Sequence, residues 1–190
     1  MSDSHAPSMR DRMLSGELYL ADDPEIAEAA AAAQELMAAY NATTVRQGDE
    51  RRELLARLLG RVGEGVELRP PLYVDYGAQL SVGDRTFANY GLVALDVAPI
   101  AIGDDVQIGP NVQLLTPTHP LEAEPRRLKW EAAQPITIGH NVWLGGGVIV
   151  LAGVTIGADT VVGAGSVVTR DLPAGVLALG NPARVVRSLR

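Results

Sequence analysis

The stretch ITIGHNVWLGGGVIVLAGVTIGADTVVGAGSVV, residues 136–168, decides the fold. An aliphatic residue returns at every sixth position, and Gly follows four of the six. The six positions are Ile138, Leu144, Val150, Ile156, Val162 and Val168. Six residues suffice for one short strand and one tight corner, where Gly, Asn or Asp supplies the backbone freedom. The repeat therefore predicts a parallel β-helix in which three short sides close one coil.

The same period extends upstream, but it slips twice by two residues. The three earlier series are Val62, Leu68, Val74 and Leu80, then Val82, Ala88, Ala94 and Ile100, then Ile102, Ile108 and Leu114. Stacked coils pair the backbone groups of each coil with those of its neighbours and bury a column of aliphatic side chains. An aromatic content of only 4% fits such a core. We therefore predict a mainly β domain over residues 61–190, with an inserted loop at about 115–135 and a C-terminal capping tail.

Residues 1–60 carry helical signals instead. Three helices are predicted: one from a cap at Ser8 to Leu14, one from a cap at Asp23 to about Tyr40, and one from a cap at Asp49 to a stop at Gly60. Ser and Asp are favoured at helix N-termini because their side chains accept from free backbone N–H groups. We expect an N-terminal helical segment that precedes the β-helix.

Composition limits the possible partners. The chain of 190 residues has a formal net charge of −7, so we expect it to bind neither nucleic acid nor an anionic membrane. It has no Cys, which excludes disulfides, thiolate metal sites and Cys nucleophiles. The apolar run Ala29–Ala33 is flanked by three Glu residues, which a signal peptide or spanning helix would not tolerate. We expect a soluble cytoplasmic protein.

Tandem units of an aliphatic residue, Gly and four further residues resemble the hexapeptide-repeat acyltransferases, whose fold is a left-handed parallel β-helix. Over nearly its whole length the chain looks like the maltose and galactoside O-acetyltransferase group, and most closely like maltose O-acetyltransferase. The strings that carry this resemblance are Gly16-Glu17-Leu18-Tyr19, Asp75-Tyr76-Gly77, Phe87-Ala88-Asn89-Tyr90, Leu95-Asp96-Val97, Thr118-His119-Pro120, Ile138 to Gly145, Gly163-Ala164-Gly165-Ser166 and Gly180 to Arg184.

The resemblance implies an acetyl-CoA-dependent O-acetyltransferase that acts on a sugar such as maltose or glucose. His119 lies in the inserted loop, where a regular solenoid needs no extra residues and function is expected. An imidazole can take a proton from a sugar hydroxyl as the oxygen attacks the thioester directly, so His119 is the expected general base. Its alternative is an exposed loop histidine. Asn89 matches the family's active-site Asn and would stabilise the reacting thioester carbonyl; its alternative is a left-handed corner residue.

Three further residues match positions of this family that contact the acceptor. Asp75 and Asp96 would accept hydrogen bonds from sugar hydroxyls, although turn aspartates that bond local backbone are an alternative reading. Trp143 should point outward and could stack on a sugar or line the thioester channel; a tryptophan at a subunit interface is the alternative. Ala21 stands where the galactoside enzymes use an acceptor-binding Asp, which favours maltose or glucose over a galactoside.

The coenzyme would lie near the C-terminal coils. Gly146, Ala164, Thr169 and Arg170 match family positions that contact coenzyme A. Arg184 and Arg187 could bind the adenosine phosphates, with a solvated basic tail, which Arg190 exemplifies, as the alternative. His5 and His140 receive no catalytic role.

Three alternative functions make different demands on these residues. A zinc carbonic anhydrase of this fold needs three imidazole ligands, and with three His in total, one of them in the N-terminal tail, we expect no metal. A sibling acyltransferase would act on a xenobiotic, an amino acid or a nucleotide sugar. A non-catalytic β-helix scaffold would leave His119 without a role. The family analogy further implies a homotrimer with active sites between subunits.

Overall fold

The computed structural model describes residues 6–189, so His5 and Arg190 lie outside the described residues. The helices are α1 (Met9–Ser15), α2 (Pro24–Asn41), α3 (Gly48–Leu58) and α4 (Ala123–Arg127). The strands are β1 (Arg61–Val62), β2 (Glu67–Leu68), β3 (Leu72–Val74), β4 (Leu80–Val82), β5 (Phe87–Ala88), β6 (Leu92–Leu95), β7 (Ile100–Ile102), β8 (Gln107–Ile108), β9 (Gln113–Leu115), β10 (Pro117–Thr118), β11 (Ala132–Ala133), β12 (Ile136–Ile138), β13 (Trp143–Leu144), β14 (Ile149–Val150), β15 (Thr155–Ile156), β16 (Val161–Val162), β17 (Val167–Val168), β18 (Val176–Leu179) and β19 (Arg184–Ser188).

The predicted β-helix with an N-terminal helical segment is confirmed. Parallel strands stack into three faces: face 1 (β1, β4, β7, β12, β15), face 2 (β2, β5, β8, β13, β16, β18) and face 3 (β3, β6, β9, β14, β17). In the described chain these strands make five complete coils, and β18 continues face 2 beyond them. The antiparallel strand β19 then closes the edge of face 2.

The two slips in the repeat have one structural cause. Val62 pairs with Val82 and Val82 with Ile102, so the first coils are 20 residues long, whereas Ile138 pairs with Ile156 after 18 residues. The two extra residues lie where the chain leaves face 3 and enters face 1. The long loop leaves the solenoid at this same place, after β9. We call this edge, residues 75–79, 95–99 and 115–135, the insertion corner.

The helices obey most of their sequence signals. Ser8 and Asp11 form a reciprocal capping box on α1, and Asp23 caps α2. The predicted cap at Asp49 is wrong, because α3 begins at Gly48 with Gln47 at the cap position. The Gln47 side chain closes the preceding turn by accepting the Thr44 N–H at 2.7 Å, and Asp49 pairs instead with Arg52 within the helix.

Two hydrophobic clusters organise the molecule. The larger one is the aliphatic column, closed at its N-terminal end by buried residues of α2 and α3 such as Tyr40, Leu55 and Leu58. The second cluster joins the N-terminal segment to the insertion corner; its members are Met13, Tyr19, Ile26, Val97, Ala98 and Ala133. Among residues 6–189, none of the helices combines the length and hydropathy that crossing a lipid bilayer requires.

Candidate active site

Asp96 anchors the insertion corner from inside. Its side chain has no exposed surface, and its Oδ1 accepts the backbone N–H groups of Asp75 at 3.1 Å and Tyr76 at 2.9 Å. Its Oδ2 accepts the N–H of Gln79 at 3.1 Å. A carboxylate with both oxygens committed to backbone donors takes the structural role that the sequence left open. The expected contact of Asp96 with the acceptor stays a prediction; in this chain its carboxylate is buried and binds backbone donors.

Asp75 stands on the solvent side of the same corner and is half-buried. Burial, followed by the nearby negative charges of Asp96 and Glu131, raises the pKa of Asp75 from its usual value to about 6. Unlike Asp96, its carboxylate is open to a ligand. Near neutral pH it is an ionised acceptor of hydrogen bonds in a partly dehydrated place, which suits recognition of hydroxyl groups.

His119 lies just beyond β10, at the start of the loop. The antiparallel pair β10–β11 forms the neck of this loop, with Pro117 opposite Ala133 and Thr118 opposite Ala132. Beyond the neck, Arg126 donates to the carbonyl oxygens of Pro120 at 2.9 Å and Leu121 at 2.7 Å. These two hydrogen bonds from Arg126 therefore hold the backbone that directly follows His119.

The imidazole of His119 is exposed, and its Nδ1 lies 3.4 Å from the carbonyl oxygen of Trp130. A proton on Nδ1 that points to this oxygen leaves the lone pair on Nε2, which is the tautomer that a general base needs. The geometry thus supplies an orienting group for the ring from the opposite side of the loop.

Three residues for which no role was expected lie near Asp75, namely Glu131, Tyr76 and Tyr19. Tyr19 donates from its hydroxyl to Glu131 Oε2 at 2.9 Å. Burial raises the pKa of Tyr19 and raises that of Tyr76 to about 12, with neighbouring carboxylates acting in the same direction. Both phenols therefore stay protonated and can donate hydrogen bonds. Two signals were present in the strings Gly16 to Tyr19 and Asp75-Tyr76-Gly77, but nothing local connects them with Glu131.

A second group of expected site residues lies along the corner between faces 2 and 3, which we call the glycine corner. Asn89 follows β5 there, and its Oδ1 accepts the Tyr90 N–H at 2.8 Å, which leaves the two hydrogens on Nδ2 for a ligand. The alternative reading of Asn89 as a left-handed corner residue is wrong, since Asn111 and Asn141 have positive φ angles and Asn89 does not.

Gly146 and Ala164 lie on the glycine corner in successive coils. The N–H of Gly165 donates to the Gly146 carbonyl at 2.9 Å, and a Cβ added at Gly146 would lie 3.3 Å from the ring of Pro110. A Cβ added at Gly147 or Gly165 would meet no atom within 4 Å. At Gly147 and Gly165 the outer surface of this corner is therefore bare backbone, against which an extended ligand can lie closely.

Trp143 points outward from face 2 and is 56% exposed, as its position in the repeat predicts. Strand pairing aligns it with Gln107 on one side and Val161 on the other. Val161 is aligned with Leu177, and Leu177 with Arg187, so Trp143 and Arg187 share one outward column. Arg184 lies at the start of the same strand β19, and both arginine side chains are exposed.

Thr169 and Arg170 lie apart from these residues. They follow β17 and therefore stand at the far side of face 3, on the edge that also carries the insertion corner. Within one chain the expected residues thus divide into two groups. His119, Asp75, Thr169 and Arg170 lie at one edge of face 3, whereas Asn89, Gly146 and Ala164 lie at its other edge.

The remaining corner, between faces 1 and 2, carries His140. Its Nδ1 accepts the Asp104 N–H at 3.0 Å and lies 3.3 Å from an Asp104 carboxylate oxygen. The ring therefore links two coils and has a structural partner. In the described part of the chain, no group of three or more His, Asp and Glu side chains is placed to hold a metal ion.

Comparison with known proteins gives the family. Residues 12–63 match the maltose acetyltransferase hexapeptide capping motif, and residues 135–170 match the bacterial transferase hexapeptide family of six repeats. Nodulation protein L of Rhizobium meliloti is 46% identical over 94% of this chain and 97% of its own length.

Two solved structures share the whole architecture. A maltose O-acetyltransferase from Clostridium difficile has a TM-score of 0.96 and 40% identity, covering 98% of this chain and all of that one. A galactoside acetyltransferase in complex with coenzyme A has a TM-score of 0.94 and 36% identity, covering 98% of this chain and 92% of that one. Because full-length similarity accompanies both family motifs, this chain is an acetyltransferase that belongs to the maltose and galactoside group of the hexapeptide-repeat enzymes.

Proposed function

We propose that this enzyme transfers the acetyl group of acetyl-CoA to a hydroxyl of a sugar such as maltose or glucose, with His119 as general base. The observation that carries the proposal is the position of His119 at the insertion corner, with Nδ1 directed to the Trp130 carbonyl and Asp75 on the same edge. Coenzyme A in the related galactoside acetyltransferase supports acetyl-CoA as the co-substrate.

The reaction needs no covalent enzyme intermediate. Nε2 of His119 removes the proton of the acceptor hydroxyl while its oxygen attacks the thioester carbonyl carbon. The tetrahedral intermediate then collapses, the carbon–sulfur bond breaks, and the imidazolium returns the proton to the departing thiolate. The products are the sugar ester and free coenzyme A, so protons and electrons balance without a further reactant.

Asn89 would stabilise the charge that develops in this step. Its Nδ2 can donate to the thioester carbonyl oxygen, because its Oδ1 is already held by the Tyr90 N–H. A donor fixed in advance spends no energy on reorganisation when the oxyanion forms. Asp75 would hold an acceptor hydroxyl beside His119, and Trp143 would stack on the sugar or line the channel of the thioester.

The coenzyme would follow the glycine corner towards the C-terminus. Gly146 and Ala164 would contact the pantetheine arm, and the exposed guanidinium groups of Arg184 and Arg187 would bind the adenosine phosphates. Thr169 and Arg170 lie one face away, so they would reach the same coenzyme from a neighbouring subunit.

This separation supports a homotrimer. His119 and Asp75 occupy one edge of face 3 and Asn89 the other, so a single chain does not assemble the site, whereas threefold packing would bring opposite edges of two chains together. Light scattering should give three times the chain mass of 20.1 kDa. A monomer that is fully active would overturn the shared site.

His119→Ala tests the proposed base, with His140→Ala as the matched control because His140 has a structural partner at another corner. Free-thiol release from acetyl-CoA with maltose, glucose or a galactoside should fall about 10²- to 10⁴-fold in the first variant and little in the second. Undiminished turnover by His119→Ala would contradict the mechanism. If only amino acids or xenobiotics are acetylated, His119 can still be the general base, but the proposed sugar acceptor is wrong.

A further inference from the structure

The loop that carries His119 receives support from the N-terminal segment, more than 100 residues away in sequence. Tyr19 and Glu131 form an antiparallel bridge: the Tyr19 N–H donates to the Glu131 carbonyl at 2.9 Å, and the Glu131 N–H donates to the Tyr19 carbonyl at 3.0 Å. The Tyr19 hydroxyl adds a third bond to the Glu131 carboxylate. Residue 19 therefore lies beside the neck of the loop like an additional strand.

Arg12 of α1 contacts Trp130, the residue before Glu131. Its guanidinium carbon lies over the ring of Trp130, 5.5 Å from the ring centre, and its Nε is 3.5 Å from a carboxylate oxygen of Glu17. Within the described residues, Arg12 Nε is the one buried side-chain nitrogen or oxygen without a hydrogen-bond partner. The ion pair with Glu17 and the contact with Trp130 therefore hold this side chain in the absence of a hydrogen bond.

The backbone between these two contacts is the part that faces His119. Trp130 contributes the carbonyl oxygen that lies 3.4 Å from His119 Nδ1. Tyr19 fixes the following residue by three hydrogen bonds, and Arg12 holds the Trp130 ring. In contrast, α4 at the tip of the loop has no buried residue. The orientation of the His119 ring thus depends on contacts at the neck of the loop and not at its tip.

The second hydrophobic cluster secures this arrangement. Tyr19 is 1% exposed and packs with Met13 of α1, with Val97 and Ala98 of the insertion corner, and with Ala133 of β11. This cluster is separate from the aliphatic column that α2 and α3 close. Of the two longer helices, only α2 contributes to this cluster, through Ile26, so it consists mainly of residues from α1, Tyr19 and the insertion corner.

We propose that Arg12 and Tyr19 are positioning residues for catalysis, which hold the Trp130–Glu131 segment so that its carbonyl orients His119. The proposal rests on the role of His119 proposed above. It assigns the N-terminal segment a function in turnover beyond capping the solenoid.

Tyr19→Phe removes one hydroxyl and leaves the ring packed in its cluster. Loss of one hydrogen bond to a carboxylate should reduce the fraction of molecules with an oriented loop, so kcat should fall about three- to tenfold. The KM for acetyl-CoA should stay within about twofold, because Arg184 and Arg187, which would bind the coenzyme phosphates, lie on β19 at the C-terminal end of face 2. The control Tyr73→Phe makes the same chemical change on the exposed face 3 and should change neither constant.

Arg12→Gln should lower kcat about two- to fivefold, and Arg12→Lys should recover most of it, since an ammonium can still lie over the indole. The control is Arg10→Gln on the same helix. The Arg10 guanidinium lies 4.0 Å from the Glu25 carboxylate and forms its ion pair there, away from the loop. Recovery by Lys separates the cation over Trp130 from a general loss of stability.

Trp130 fluorescence reads the segment without reference to activity. In a Trp143→Phe background Trp130 is the sole tryptophan, and acrylamide should quench it more strongly after Tyr19→Phe or Arg12→Gln than after either control. The proposal requires both a lower kcat and stronger quenching of Trp130. If kcat stays at the control value in both variants, or if the quenching does, the proposal is overturned. An active His119→Ala variant would overturn the base assignment, while the quenching result would still decide whether residues 12 and 19 hold the loop.

Discussion

Asp75 donates its backbone N–H to the buried carboxylate of Asp96 at 3.1 Å, while its own side chain faces outward beside Glu131. Two aspartates of the same corner thus have opposite tasks. Asp96 builds the turn from inside, and the turn presents Asp75 to the site. Their effects on activity and stability should separate accordingly.

Asp75→Asn should raise the acceptor KM about tenfold, because a charged acceptor of hydroxyl hydrogen bonds is replaced by a neutral amide. In the unmodified enzyme kcat/KM for the sugar should fall as the pH drops through about 6, since Asp75 then becomes protonated. The variant should lose this part of the pH dependence. Asp49→Asn on the exposed side of α3 is the control. An identical profile in Asp75→Asn would exclude Asp75 from acceptor binding.

The same shift predicts a stability effect of the opposite sign. The pKa of Asp75 is raised above its unfolded value of 3.8, so the folded state holds its proton more firmly, and stability is lost as the pH rises from about 4 to about 6. Asp75→Asn should therefore raise the free energy of unfolding at pH 8, because it removes a negative charge that is unfavourable in the folded state. The gain should be only about 1 kcal/mol, since solvent screens a half-exposed charge. Urea unfolding at pH 8 and pH 4 measures the difference, which should vanish at the lower pH.

Asp96→Ala should destabilise the protein by about 3 kcal/mol, because three backbone N–H groups at a buried turn lose their acceptor. Urea denaturation measures this loss. The control Asp105→Asn removes an exposed negative charge that pairs with Arg85 and should cost much less, because solvent screens this pair and Asn tolerates the positive φ of this position. Equal costs in the two variants would argue against the structural role of Asp96.

Asn89→Ala should lower kcat about 10²-fold with little change in the KM for either substrate, which is the effect of losing one donor to the developing oxyanion. Asn141→Gly is the matched control, since Asn141 occupies a left-handed corner position that glycine accepts without strain. Steady-state kinetics decide the matter. An Asn89→Ala enzyme that changes only KM would place the side chain on a ground-state contact instead.

Arg184→Gln and Arg187→Gln should each raise the KM for acetyl-CoA about tenfold, because each removes a charge-assisted contact to phosphate. The effect should shrink at high salt and disappear with acetylpantetheine, which lacks the adenosine phosphates. Arg57→Gln on α3 controls for the loss of one positive charge. A raised KM for acetylpantetheine as well would show that the substitutions damage the site generally.

Fold prediction succeeded where the signal is local. A six-residue period specifies a strand and a corner within each repeat. The solenoid is therefore predicted from the local spacing of Ile138, Leu144 and Val150, without knowledge of distant contacts. The outward position of Trp143 follows from the same count. Asn89 and Asn111 both look like corner residues in sequence, however, and only their φ angles distinguish them.

The sequence by itself therefore determined the coil, the helices that precede it, the loop around His119 and, through its quoted strings, the family. Only the tertiary structure decided which corner collects the extra residues, that Asp96 is buried while Asp75 is open, and that Tyr19 reaches Glu131. These decisions depend on pairs that are far apart in sequence, such as Asp75 with Asp96, 21 residues apart, and Tyr19 with Glu131, 112 residues apart. A short repeat fixes the direction of each side chain relative to its own strand, but the stacking of coils and the docking of the N-terminal segment determine which side chains meet.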